Sequence, residues 1–138
     1  KINNLETVEC WGSGRPLREF LHVNDLANAC IFVLENWNPK DNNSPKFDNG
    51  KNLYYLNVGS GVDQTIKSLA LKISKQVGYN GKIKWDASKK DGTPKKLLDI
   101  GRIKNLGWQP KIDLETGLRL TIEDFINKYE QGNFRKEN

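Results

Sequence analysis

The 138-residue chain has no methionine, a single histidine and only two cysteines, Cys10 and Cys30. Two cysteines are too few for a disulfide framework, and with one histidine they give no zinc-ligand spacing, so no structural metal is expected. No apolar run approaches the roughly 20 residues of a bilayer-spanning helix. The opening KINNLETVEC also lacks the apolar centre of a signal peptide. The resulting expectation is a cytoplasmic protein with no membrane partner. A block of like charge is missing too. The 22 basic and 17 acidic residues are interspersed, as on a solvated surface, and nucleic acid is not the expected partner. The net charge of +5 would still suit a phosphorylated small ligand.

Two signatures of nicotinamide chemistry are also absent. A dinucleotide cradle needs a strand, G-x-G-x-x-G and a helix in that order. After Gly12 and Gly14 the third glycine position is Leu17, and a strand pattern follows. After Gly59 and Gly61 a helix pattern does follow, but the third position is Gln64. A Tyr-x-x-x-Lys pair would supply a reductase acid, yet Tyr54, Tyr55, Tyr79 and Tyr129 are followed four places on by Val58, Gly59, Ile83 and Asn133. No cofactor-binding residue and no catalytic residue is therefore assigned.

What is present is a mixed order of strands and helices. TVECW (7–11) reads as a strand closed by the GSGRP turn, and LREFLHV (17–23) alternates like a second one. Asn24 is the expected cap of a helix over DLANACIFVLENW, apolar on nearly all sides and so expected to be largely buried. Residues 36–52 form a polar surface loop, expected to be flexible. LYYLNVG is expected to be a strand, 65–77 an amphipathic helix ended by Gly78, and KIKWD a third strand. ASKKDGTPKK is a loop. Asp99 and Asp113 are the expected caps of two further helices, the second with Leu114, Leu118, Ile122, Phe125 and Tyr129 on one stripe. The predicted class is α/β of the mixed α+β kind, one unit over 1–131 with a frayed tail at 132–138.

Few residues stand out chemically. His22, Asp25 and Ser13 hold triad types, but a serine in a glycine turn before a strand is no nucleophile elbow, and His22 reads as structural. Cys10 and Cys30 read as small core residues. Arg18 sits among apolar strand residues and must either pair with Glu19 or Asp25 or face an anion. The loop DASKKDGTPKK, with two acids and four lysines, is either solvated or a second wall of that anion site.

Three segments, WGSGRPLREFLHVNDLA, NVGSGVDQTIKSLALKISKQVGY and WDASKKDGTPKKLLDIGRIKNLGW, together resemble the GDP-L-fucose synthase family. Its members are GDP-4-keto-6-deoxymannose 3,5-epimerase/4-reductases of the extended short-chain dehydrogenase/reductase type. The arginine-acid-aromatic run into His-Val-x-Asp is shared by many nucleotide-sugar epimerases and dehydratases, whereas DASKKDGTPKKLLD is more specific. The resemblance runs from Val8 to about Tyr129 and departs in the loop 36–52.

The resemblance implies that this chain is a substrate-binding C-terminal portion without the main Rossmann fold. NADP(H) and the catalytic groups would belong to a preceding N-terminal portion, so the isolated chain is expected to be inactive. The whole enzyme is expected to be a homodimer. Carried over by position, Trp11, Arg18, Asp91 and Lys96 match residues that contact the GDP-sugar, Arg18 through the diphosphate. The alternatives are another nucleotide-sugar epimerase or dehydratase and, from a different class, a non-enzymatic basic binding module.

Overall fold

The computed structural model describes residues 1–132. Most of the expected tail, from residue 133 onward, lies outside the described residues. In chain order the elements are β1 (Thr7–Trp11), β2 (Leu17–Glu19), α1 (Val23–Asn36), β3 (Asp63–Thr65), α2 (Ile66–Gln76), β4 (Lys82–Asp86), β5 (Lys95–Lys96), α3 (Gly101–Asn105) and α4 (Leu114–Glu130). The architecture is mixed α/β, with two small sheets among the described residues. One is the parallel pair β1–β4, in register from Thr7 opposite Lys82 to Trp11 opposite Asp86. The other has the order β3-β2-β5, with β2 antiparallel to β3 and parallel to β5.

The turn at residues 12–16 carries the chain from the first sheet into the second. The Gly12 amide donates to the Asp86 carbonyl at 3.0 Å, prolonging the β1–β4 ladder by one bond. Gly14 has φ of +72°, and a side chain there would meet the Trp85 ring at 2.8 Å. Only glycine fits both the left-handed conformation and the close ring.

Packing centres on Ala29, Ile100, Ile103 and Trp108, with Leu21, Phe32, Val33, Leu56 and Val58 against them. The Trp108 indole N–H is satisfied by the Asn28 side-chain oxygen at 3.0 Å. Asp25, 5% exposed, accepts from the amides of Lys111 (3.1 Å) and Ile112 (2.8 Å). A buried carboxylate is tolerable when backbone donors solvate it. Here it ties the start of α1 to the approach of α4.

Several elements depart from the sequence-based expectation. The alternation over 17–23 yields only three strand residues, because the helix begins at Val23. Its cap is His22, not Asn24: the His22 Nδ1 accepts from the Asn24 amide at 3.2 Å. Helix α1 is not buried on most of its surface. Val23, Leu26, Ile31 and Leu34 are exposed, Leu34 at 84%, and with Ala27 and Cys30 they form one continuous apolar face at helical spacing. Cys30 is therefore exposed and Cys10 only half-buried, so neither is a core residue. LYYLNVG is not a strand. Among the described residues, 53–60 make no backbone-to-backbone hydrogen bond, and β3 forms after the glycine turn instead. The loop ASKKDGTPKK ends in β5, which the composition did not announce. Asp99 acts one position outside the expected cap: Ile100 is the N-cap of α3, while the Asp99 carboxylate accepts from the Gly101 amide at 2.8 Å. The Asp113 cap of α4 and the Thr65-to-Gly78 span of α2 are as expected.

Replacing Asp25 by Ala strands the two amides that it satisfies. The expected cost is about 2–4 kcal/mol, measurable as a lowered midpoint in urea unfolding. A loss below about 0.5 kcal/mol would show that the clasp is replaceable by water.

Candidate functional site

The chain contains the tripeptide Gly-Ser-Gly twice, at 12–14 and 59–61, and each turn holds a carboxylate of the same molecule. In the first, Asp91 accepts from the Ser13 amide at 2.7 Å and from the Ser13 hydroxyl at 2.5 Å. Gly12, with φ of +83°, lets Asp91 approach: a Cβ there would lie 2.5 Å from its Oδ1. The Ser13 Oγ in turn accepts from the Arg15 amide (3.2 Å) and Nε (3.1 Å). The Ser13 hydroxyl, then its amide, stabilise the ionised acid and hold the Asp91 carboxyl below the usual carboxylate range.

The second turn receives Glu19 from β2. Its Oε1 accepts from the Gly61 amide at 2.5 Å and from the Ser60 hydroxyl at 3.4 Å, and its Oε2 accepts from the Leu98 amide at 3.1 Å. A Cβ on Gly59 would collide with this carboxylate at 2.5 Å. Each turn gives its carboxylate one backbone amide and one serine hydroxyl, so in both the bound anion is internal.

Neither candidate ion-pair partner of Arg18 is paired with it. Glu19 and Asp25, its candidate ion-pair partners, are both engaged by backbone amides. Among the described residues no carboxylate lies within salt-bridge distance of half-buried Arg18. Its Nη1 donates to the Leu17 carbonyl at 2.7 Å, and its Nη2 lies 3.3 Å from where a side chain on Gly92 would begin. Across the β2–β5 pair Arg18 is in register with Lys96, which also lacks a carboxylate partner among the described residues. Like charges opposite one another on paired strands are unfavourable. They become favourable when an anion lies between them.

The structure thus brings all four sequence-selected residues onto one pair of segments, 11–18 against 89–96. Trp11 is 73% exposed at the end of β1, with the Lys89 ammonium 5.5 Å from its ring centroid, a cation–π distance. Asp91 clasps the next turn, Gly92 lies beside Arg18, and Lys96 is opposite it. Sequence reasoning missed Ser13 and Glu19 as the residues that fasten these segments. The available signal was the repeated Gly-Ser-Gly, whose two copies both fail as cofactor cradles. Turn 12–14 leads into β2, and turn 59–61 leads into β3 and is occupied by the Glu19 carboxylate.

Known proteins resemble this chain over most of its length. The family model described as NAD dependent epimerase/dehydratase family matches residues 1–45. The chain as a whole has longer matches among individual proteins. It is 45% identical over 131 residues to the putative GDP-L-fucose synthase 2 of Arabidopsis thaliana, covering 95% of this chain and 36% of that protein. To the GDP-L-fucose synthase of Escherichia coli K12 it is 47% identical over 130 residues, covering 93% and 39%. Among solved structures, a GDP-6-OMe-4-keto-L-xylo-heptose reductase from C. jejuni superposes with a TM-score of 0.75 at 34% identity, covering 89% of this chain and 34% of that one. The chain spans little more than a third of the length of the curated relatives it matches.

The Asp91 clasp has a defined pH dependence. A carboxyl whose folded pKa is depressed adds stability above its unfolded value, about 3.9, and that stability is lost as pH falls through the lower folded value. The Ser13 amide resonance should titrate with a midpoint below about 3.9 and stay flat in Asp91→Asn. A midpoint at or above the ordinary value would mean that the clasp does not persist in solution.

Proposed function

We propose that this chain is the C-terminal, GDP-sugar-binding portion of a GDP-L-fucose synthase. The whole enzyme would convert GDP-4-keto-6-deoxy-D-mannose to GDP-L-fucose by 3,5-epimerisation and NADPH-dependent 4-reduction. The observation that carries the site assignment is the Arg18–Lys96 pair: two cations in register on adjacent strands, without carboxylate partners among the described residues. A diphosphate supplies the missing charge. The Arg18 guanidinium can hydrogen-bond two phosphate oxygens at once, and Lys96 adds a mobile ammonium. Exposed Trp11 offers an aromatic face beside the site. In this reading the Asp91 loop forms the opposite wall, with Ser13 holding it in place.

The main Rossmann fold, the NADP(H) site and the groups that move protons and hydride then belong to a preceding portion, and this chain by itself performs no turnover. The exposed apolar face of α1 and the unpaired backbone of 53–60 are surfaces that such a portion would cover. The 43–47% identities to GDP-L-fucose synthases support this reading over another nucleotide-sugar epimerase or dehydratase. The assembled enzyme is read as a cytoplasmic homodimer.

Titration with GDP, followed by tryptophan fluorescence with UDP and ADP as controls, tests the assignment. GDP should bind saturably and in preference to both. A charge-assisted contact to phosphate contributes about 1.5–3 kcal/mol, so Arg18→Ala should weaken binding at least tenfold. A preference for UDP would turn the assignment towards the other epimerases, and indifference to Arg18→Ala would remove the diphosphate from this position.

A further inference from the structure

The geometry points to Glu19 as a positioning residue for the anion site, a role that rests on the diphosphate reading of Arg18 and Lys96. Glu19 adjoins Arg18 in β2, yet its carboxylate touches neither cation. It spans two backbone segments instead, accepting from the Gly61 amide on one side and the Leu98 amide on the other. Leu98 lies two residues beyond Lys96, and β5 is only two residues long. The β2–β5 pairing begins with the Leu17 amide donating to the Pro94 carbonyl at 2.8 Å, and the Glu19–Leu98 bond closes its other end.

A parallel pairing of two residues is too short to define its own register, since each hydrogen bond is worth only about 1 kcal/mol net. The carboxylate does so from outside the strand: it fixes Leu98 against β2 and thereby sets Lys96 opposite Arg18. Gly59 secures the arrangement, because any side chain there would displace the carboxylate. Glu19 therefore sets the spacing of two cations, and that spacing favours a ligand that engages both phosphates of a diphosphate over one that offers a single phosphate.

The test compares GDP and GMP affinities in the full chain for wild type, Glu19→Ala, Glu19→Gln and Lys96→Ala. Wild type should prefer GDP. In Glu19→Ala the GDP affinity should fall about tenfold, a change of about 1.4 kcal/mol, while GMP affinity changes little, so the ratio collapses towards that of Lys96→Ala. In the double variant combining Glu19→Ala with Lys96→Ala the two effects should be strongly non-additive, because both act through Lys96. Glu19→Gln keeps one acceptor oxygen and should fall between, and it carries the test should the alanine variant fail to fold.

Asp25→Asn serves as the control for a purely structural carboxylate: it should lower stability and leave the GDP-to-GMP ratio of the folded protein unchanged. An unchanged ratio in the Glu19 variants, with wild type and Arg18→Ala behaving as above, would overturn the positioning role alone. Wild type that does not distinguish GDP from GMP, together with an inert Arg18→Ala, would overturn the diphosphate reading and this inference with it.

Discussion

The described structure depends on side-chain carboxylates solvated by main-chain amides. Glu19 joins β2 to the 59–61 turn and to the segment after β5, Asp91 joins its loop to the 12–14 turn, and Asp25 joins α1 to the approach of α4. Each satisfies donors that regular secondary structure leaves open, which is why such short strands and irregular connections hold together. Apolar burial alone is thin here: among the described residues the buried hydrophobic residues are Ala29, Leu53, Ile100, Ile103 and Trp108. Charge-assisted bonds to the backbone are among the stronger polar interactions available, and here they supply the definition that a larger core would otherwise provide.

This use of the acids has an electrostatic corollary. Asp86 is turned to the Ser88 amide and hydroxyl, Asp99 to Gly101, and Asp91 and Glu19 to their glycine turns. The acids near β2 and β5 are thus spent on hydrogen-bond donors of the protein itself, and Arg18 and Lys96 have no carboxylate partner among the described residues. The modest excess of basic residues in the composition is left unmatched at these two positions because of where the acids are used. Under the proposed function, an anion there would meet donors already in place, with little reorganisation to oppose it.

Much of this was legible in the residues. The strands at 7–11 and 82–86, the helices at 66–76 and 114–130, the Asp113 cap and the Gly78 stop follow from alternation, helical spacing and capping chemistry. The selection of Trp11, Arg18, Asp91 and Lys96 rested on family resemblance, and the fold gathers these four onto two facing segments. Two of the failures share one cause: the local pattern is completed only by a contact distant in sequence. LYYLNVG has strand composition, but a strand exists only with a partner, and none lies among the described residues. The apolar girth of α1 reads as burial, yet one of its faces meets no other described element. The clasps themselves were invisible, because a glutamate in a strand does not disclose which amides it will reach.

Those clasps close long stretches of chain. Ser13 and Asp91 are 78 positions apart, Glu19 and Leu98 are 79, and Asp25 and Ile112 are 87. Loop-closure entropy must be overcome before such contacts return any stabilisation, and structures dominated by them fold slowly. During synthesis Arg18 precedes its strand partner Lys96 and remains an isolated charge on an unformed strand until that partner follows. The β2–β5 pairing can close only after Leu98 has left the ribosome, so the two cations meet late, when the residues of α1 and α2 have already been made.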